Sequence, residues 1–239
     1  MTNGSARADE LSANLKALRA RIAAACAVAG RPASDVTLVA ITKTFPASDV
    51  RLLAELGVSD VGENKDQEAA PKAAACADLD PPLRWHFVGQ LQVNKCKSVV
   101  RYVDVVHSVD RPRLVEALGA RARAAGRVVT CLIQVDLDPD PSPARGGAPP
   151  GSVAALAAQI AAAGGLHLGG VMAIAPLGSP PRPGFRRLAE IAAAVRADHP
   201  GAVMISAGMT GDLEEAVAEG ATHVRVGTAL LGSRRAFVR

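Results

Sequence analysis

The sequence predicts a single-domain (β/α)8 barrel of the TIM type spanning residues 1–239. Eight short apolar segments alternate with longer segments of helical periodicity, as in parallel strands joined by helices. The apolar runs are nearly continuous, for example LVAI at 38–41, which is typical of strands buried on both faces. A length of 239 residues suits one barrel domain, and no GxGxxG motif follows the first strand to favour an open dinucleotide-binding sheet.

The strands are predicted where apolar and β-branched residues are bounded by glycine, proline or polar turns. In chain order we expect them at residues 37–42, 58–62, 84–89, 103–107, 128–135, 168–174, 203–206 and 223–226. The intervening segments carry apolar residues at helical spacing. They predict helices at residues 48–56, 64–76, 95–100, 111–125, 152–163, 185–197 and 212–219.

The two ends of the chain complete the barrel prediction. An amphipathic helix at about residues 8–29 precedes the first strand. Residues 228–239 are too few for a full outer helix after strand eight, so we expect the N-terminal helix to cover that gap beside strand one. Residues 138–151, rich in proline and glycine, form a long loop that is too short to separate two domains.

Composition narrows the class of protein. With 49% hydrophobic and 21% charged residues, the chain is neither disordered, collagen-like nor a disulfide-stapled mini-protein. Its cysteines lie far apart without a CxxC pair, which argues against a zinc site or a disulfide framework and favours a reducing, cytoplasmic compartment. Whether Cys96, which has a lysine on either side, is reactive stays open at this point.

Neither a membrane nor a nucleic acid is expected as a partner. Residues 1–10 are polar and lack the apolar core of a signal peptide. The uncharged stretch 146–181 is interrupted by prolines and glycines, so it predicts a helix and a buried strand rather than a membrane span. The net charge is +4, but the basic residues are scattered and aromatic residues make up only 3% of the chain, too few to stack on bases. An anionic small molecule is the better ligand.

Candidate chemistry lies at the carboxyl ends of the strands, where the active face of a barrel is built. Lys43 ends strand one, although this segment alone also suits a lysine that extends to solvent. After strand seven the chain reads SAGMTG at 206–211, followed by a capping-box pattern at 212–215, and strand eight turns through Gly227 and Thr228. Glycines and hydroxyls in two neighbouring turns predict a phosphate site, although each glycine alone also suits a tight turn.

Barrel closure relates this site to Lys43. Strand eight pairs with strand one, so Arg225 and Lys43 are expected on adjacent strands about 4.8 Å apart. A permanent guanidinium and partial burial both favour the neutral, nucleophilic amine. A neutral lysine beside a phosphate site suits a Schiff base with a phosphorylated aldehyde or ketone, for which pyridoxal 5′-phosphate (PLP) is the leading candidate.

Seven motifs then occur in family order. They are LVAITKT (38–44), GEN (62–64), WHFVGQLQVNK (85–95), HSVD (107–110), GVMA (170–173), SAGM (206–209) and VRVGT (224–228). With them the chain closely resembles the pyridoxal phosphate homeostasis protein family, the single-domain relatives of the alanine racemase N-terminal barrel. The resemblance covers nearly the whole chain.

The resemblance implies roles for ten residues. Lys43 would form the internal aldimine, and Arg225 would face the pyridine nitrogen. Asn64 would lie near the ring oxygen, while His86 and Met172 would line the pocket. The phosphate would be held by Ser206, Gly208, Met209, Gly227 and Thr228.

Several polar residues have a structural interpretation beside a functional one. Histidines near strand ends, here His86, His107 and His223, are more often packed and hydrogen-bonded than ligands. No HxxxH or HExxH spacing occurs, so no metal site is assigned. Glu63 suits either a general base or the start of a helix. The two residues after Asn64, Lys65 and Asp66, depart from the family's usual aromatic and aliphatic pair.

Three functions compete. The resemblance implies a PLP-binding protein of intracellular PLP homeostasis, which stores, delivers or buffers the cofactor as a Lys43 aldimine without dedicated turnover. PLP-dependent apo-enzymes would be its partners, and we expect a monomer. The alternative is a PLP-dependent amino-acid racemase, but racemases use a tyrosine from an extra β-domain, and the sole tyrosine, Tyr102, matches no such motif. A sugar-phosphate aldolase would use the same lysine without accounting for the shared motifs.

Overall fold

The strands close into a parallel barrel. A computed structural model describes residues 3–138 and 146–232. Within them eight strands follow chain order around the barrel, and the last pairs with the first. They are β1 (Thr37–Ile41), β2 (Asp60–Glu63), β3 (Arg84–Phe87), β4 (Val105–Val109), β5 (Val129–Gln134), β6 (Leu166–Met172), β7 (Met204–Ser206) and β8 (His223–Val226). The predicted (β/α)8 fold is confirmed.

Helices alternate with the strands. They are α1 (Asn3–Val28), α2 (Ala47–Glu55), α3 (Asp66–Ala75), α4 (Cys96–Val99), α5 (Pro112–Ala124), α6 (Val153–Ala162), α7 (Pro181–Asp198), α8 (Leu213–Ala218) and α9 (Thr228–Leu231). Helix α7 begins at Pro181 rather than at residue 185, because prolines that suggest a loop also suit the first helical turn, where the missing N–H is not needed. The sequence does not predict the one-turn helix α9.

Helix α1 occupies the place that an outer helix after β8 would take. It packs against α8, α9 and α2. The Asn14 side-chain amide donates to the carbonyl of Leu230 (3.0 Å), which joins α1 to α9. The side chains at the centre of its buried face are Leu11, Leu15, Leu18, Ile22 and Cys26. Residues 139–145 of the predicted loop at 138–151, and residues 233–239 of the predicted tail, lie outside the described residues.

The barrel closure differs in one respect from the expected geometry. In the pairing of β1 with β8, Arg225 lies opposite Val39. Lys43 is four residues further on, or about 13 Å of extended chain at 3.3 Å per residue. The two strands are adjacent as predicted, but Arg225 and Lys43 are not cross-strand neighbours. That the guanidinium keeps the Lys43 amine neutral therefore stays a prediction.

The cysteines are buried and none forms a disulfide. Burial raises the pKa of Cys96 to about 11, so this thiol stays protonated near neutral pH and is a poor nucleophile despite its flanking lysines. In the described part of the chain, no group of residues could hold a metal ion. No helix there is long and apolar enough to cross a membrane.

Candidate functional site

Lys43 lies at the carboxyl end of the barrel, just after β1. Ile41 shares a face of the sheet with Gly62, where a Cβ would come within 2.5 Å of Ile41 Cδ1, and Gly62 lies opposite His86, whose side chain is in the barrel interior. Alternation along the chain directs Lys43 to the same side. Its side chain is half-buried, and no other described residue forms a hydrogen bond or ion pair with its amine. The amine is thus available at the mouth of the barrel.

Glu63 is engaged elsewhere and does not face this amine as a free base. Its Oε1 accepts hydrogen bonds from the Thr42 hydroxyl (2.7 Å) and from Lys72 Nζ (2.6 Å). Burial raises the pKa of Glu63 above its ordinary value, against the lowering effects of Lys72 and Thr42. The cap position of α3 is Lys65. Glu63 is therefore half of a buried ion pair rather than the cap of α3, while its Oε2 has no hydrogen-bond partner among the described residues.

The turns after β7 and β8 lie side by side, as the phosphate prediction requires. The Arg225 backbone N–H of β8 donates to the carbonyl of Gly208 (2.9 Å), which links β8 to the turn after β7. Gly208 has a φ of +92°, and a Cβ on it would lie 2.7 Å from Ala216 Cβ. Gly227 passes close to β1, where a Cβ would lie 3.2 Å from the Ile41 carbonyl oxygen. The first N–H groups of α9, beginning at Thr228, have no acceptor within that helix.

The start of α8 corrects one sequence expectation. Asp212 makes no capping hydrogen bond to α8. Its Oδ1 instead accepts the backbone N–H of Met209 (2.6 Å), because the carboxylate turns back toward the preceding turn. The Met209 amide is therefore already occupied. Thr210, a half-buried residue of the same turn, was not singled out from the sequence, although its hydroxyl within SAGMTG was the available signal.

Arg225 is a buried cation without a counter-ion. It is 5% exposed and forms no ion pair with any described residue. Its Nη1 donates to Ser206 Oγ (2.6 Å) and its Nη2 to the carbonyl of Ala173 (2.9 Å). Burial lowers the pKa of Arg225 to about 10, although Asp212 acts in the opposite direction. Buried charges are normally paired, so an acceptor from outside the chain is expected here.

Ser206 belongs to a chain of buried polar groups that crosses the barrel interior. Its Oγ lies 2.9 Å from His107 Nδ1, and His107 Nε2 lies 2.8 Å from His86 Nδ1. His86 Nε2 is 2.9 Å from Asp60 Oδ1. Although burial alone would raise it, the pKa of Asp60 is lowered by hydrogen bonds from His86 and Ser59. An ionised Asp60 only accepts hydrogen bonds.

Asp60 therefore fixes the direction of the hydrogen bonds along this row of buried polar groups. His86 Nε2–H donates to Asp60, so with neutral rings His107 Nε2–H donates to His86 Nδ1, and the Ser206 hydroxyl donates to His107 Nδ1. Burial lowers the pKa of His107 well below its ordinary value, and Arg225 acts in the same direction, so that ring is neutral. The remaining lone pairs of Ser206 face Arg225. The Ser206 hydroxyl therefore holds the guanidinium.

The structure brings together most of the predicted site residues, but not all of them. Asn64 is half-buried just after β2, where Gly89 passes so close that a Cβ would lie 2.2 Å from the Asn64 carbonyl oxygen. Met172 ends β6 in the barrel interior, opposite Ser206 in the register. His86 lies deeper, beside Gly62 in the register, and belongs to the polar chain rather than to the mouth. This matches the interpretation of packed histidines.

Comparison with known proteins agrees with this arrangement. The family model of the alanine racemase N-terminal domain matches residues 10–235. The pyridoxal phosphate homeostasis protein of Mycobacterium tuberculosis is 45% identical over 246 residues, covering 96% of this chain and 95% of that protein. The structure of PipY from Synechococcus elongatus with PLP bound has a TM-score of 0.81 and 36% identity, covering 93% of this chain and 100% of PipY.

A more distant likeness concerns the fold alone. The alanine racemase of Streptomyces coelicolor is 21% identical, with a TM-score of 0.72 that covers 93% of this chain but 58% of the racemase. The barrel is thus shared with larger enzymes, whereas the homeostasis proteins match over nearly their full length. The chain belongs to the alanine racemase N-terminal domain family and, within it, to the pyridoxal phosphate homeostasis proteins.

Proposed function

We propose that this protein binds PLP through Lys43 and serves PLP homeostasis in the cytoplasm, where it stores, delivers or buffers the cofactor. One observation carries the proposal: a buried Arg225 without a counter-ion lies beside two glycine turns, at the same end of the barrel as an unengaged lysine amine. A ligand with an aldehyde, a hydrogen-bond acceptor and a phosphate satisfies all three features. The PLP-bound relative at 36% identity supports this choice.

Different residues of the chain would bind different parts of PLP. When bound, PLP supplies an aldehyde that condenses with a lysine amine. Arg225, which can only donate, would hold the ring nitrogen as an acceptor, and Ser206 would fix the orientation of Arg225 rather than contact the phosphate. Asn64 would contact the ring oxygen, and Met172 would supply an apolar surface. The phosphate would be bound by the turns that contain Gly208, Thr210, Gly227 and Thr228.

A role without dedicated turnover follows from the groups around the site. A permanently charged Arg225 leaves the ring nitrogen unprotonated, which makes the ring a poorer sink for electrons. Two-sided proton transfer needs an acid–base pair. Glu63 is tied to Lys72, and the Tyr102 hydroxyl donates to Asp66 Oδ1 (3.3 Å) while burial raises its pKa. The protein would act as a monomer that exchanges PLP with PLP-dependent apo-enzymes.

Covalent labelling tests the proposal. Purified protein incubated with PLP should turn yellow, and borohydride should fix a pyridoxyl group on Lys43, detected by mass spectrometry of the peptide. Lys43→Ala should abolish both colour and label, because the proposal places the imine on this amine. The control is Lys97→Ala, which removes an exposed lysine of α4 and should leave both unchanged. A label that survives in Lys43→Ala contradicts the assignment, and rapid racemisation of any amino acid favours the enzyme.

A further inference from the structure

The residue after Lys43 has a strained backbone. Thr44 has a φ of +70°, and it is the single non-glycine residue with a positive φ in the described ranges. A β-branched side chain in this left-handed region is unfavourable, and it persists only where the surroundings hold it. A glycine would form the same turn without this cost. Something next to Lys43 must therefore maintain the turn.

The Phe45 N–H donates to the Thr42 carbonyl across this turn (3.1 Å), and helix α3 supplies the side-chain contacts that hold it. Glu68 Oε2 accepts the backbone N–H of Thr44 (2.9 Å). One helical turn further on, Lys72 Nζ donates to the carbonyl of Thr42 (2.8 Å). Residues four apart lie on the same face of a helix, so Glu68 and Lys72 bond the backbone on both sides of Lys43. No other described side chain bonds the Thr44 amide.

We propose that Glu68 is a positioning residue that holds the Thr44 turn and so places the Lys43 amine at the mouth of the barrel. This inference rests on the proposed reaction of Lys43 with PLP. The hydrogen-bond ladder between β1 and β2 ends with the Thr42 N–H to the Gly62 carbonyl, before Thr44. Glu68 thus acts beyond the strand, on the one segment whose conformation sets the direction of the lysine.

Two substitutions separate the reach of the Glu68 side chain from its charge. Glu68→Gln keeps an acceptor oxygen at the same distance but removes the charge, whereas Glu68→Asp keeps the charge but is one methylene shorter. We expect Glu68→Gln to bind PLP within about threefold of the native protein, and Glu68→Asp and Glu68→Ala to bind about tenfold more weakly, since the strained turn loses its acceptor. Binding is measured by absorbance titration and by the rate of borohydride-fixed labelling of Lys43.

A second experiment removes the backbone strain at Thr44. In a Thr44→Gly background the turn no longer needs its acceptor, so adding Glu68→Ala should change PLP affinity by less than about twofold. The matched control is Glu116→Ala, an exposed glutamate of α5 with no contact to the site, which should bind as the native protein does. Thermal unfolding of each variant confirms that it is folded, and the Gln and Asp variants alone decide the question if Glu68→Ala does not fold.

The outcomes are distinct. An inverted order, with Glu68→Asp near native and Glu68→Gln impaired, would show that the charge matters and would overturn the positioning role. So would a full Glu68→Ala defect in the Thr44→Gly background, or a Glu68→Ala protein that binds like the Glu116→Ala control. If native protein fails to label Lys43, the proposed function itself fails. If native protein labels and the Glu68 variants show none of these differences, only the positioning role fails.

Discussion

The two sides of the barrel mouth are built by different means. On the side of β7 and β8, the proposed phosphate turns depend on glycines and on backbone groups, and the Arg225 N–H of β8 donates to the Gly208 carbonyl of the turn after β7. On the side of β1, long side chains from α3 hold the backbone groups of Thr44 and Thr42 on either side of the lysine, across 24 and 30 residues of sequence respectively. The first side depends on local conformation, whereas the second depends on tertiary contacts. Substitutions should therefore affect the two sides differently.

The largest effect is expected on the β1 side, from Lys72→Met. Lys72 forms a buried ion pair with Glu63, whose side chain is 1% exposed. Removal of the ammonium leaves a buried carboxylate with only the Thr42 hydroxyl as a described donor, which should lower the free energy of unfolding by about 3–5 kcal/mol. Urea unfolding measures the loss. The double variant Lys72→Met with Glu63→Gln should recover part of it, and a loss below about 1 kcal/mol would mean that the pair is not buried in solution.

A smaller effect is expected on the glycine-built side, from Gly208→Ala. The positive φ and the 2.7 Å approach to Ala216 Cβ together should cost about 2–3 kcal/mol of unfolding free energy. PLP affinity should fall while labelling of Lys43 by pyridoxal, which has no phosphate, should not. Gly211→Ala is the control, since Gly211 has no positive φ and a Cβ there would meet open space. Equal losses for PLP and pyridoxal would contradict a phosphate role for this turn.

The same contrast explains how much the sequence could predict. The glycine turns were identified because their signal lies within a few consecutive residues, and β8 has the predicted bounds. The partner of Ser206 could not be identified, because His107 is 99 residues away and meets it only through barrel closure. Glu68 and Lys72 look like ordinary charged residues of an exposed helix. Only the packing of α3 beside β1 shows that they bond the backbone on either side of Lys43.

Asp212 shows that even a local sequence motif does not predict every hydrogen bond that its residues make. The pattern at 212–215 matches a capping box, which would place the carboxylate on α8. The preceding turn offers the Met209 N–H at 2.6 Å, and the carboxylate takes that donor instead. Residue types at the right spacing thus predicted the helix, but not the hydrogen bond. The choice between two nearby donors depends on the path of the turn, which the spacing does not encode.

The barrel interior beneath both sides gives a third, pH-dependent test of smaller size. Burial, followed by the charge of His86, lowers the pKa of His223 to about 4. Asp60 acts against this shift, Arg84 and Arg225 act with it, and Thr222 Oγ1 lies 2.8 Å from its Nδ1. The unfolded chain, with a pKa near 6.5, binds more protons between pH 4 and 6.5. Stability should therefore fall as the pH is lowered through this window.

The contribution of His223 to this loss of stability can be isolated by comparing how steeply stability falls with pH in the native protein and in a His223 variant. From the two pKa values, about 2 kcal/mol of unfolding free energy should be lost between pH 7 and pH 5 on account of this residue. His223→Asn keeps a polar group near Thr222 but does not titrate, so its urea midpoint should fall less over the same range. His107, whose pKa is also lowered, titrates in both proteins, and because His223 is the last of the causes of that shift, most of the His107 contribution cancels in the difference. Parallel pH profiles would show that His223 is solvated in solution, and that the interior beneath the two sides is less dry than its packing indicates.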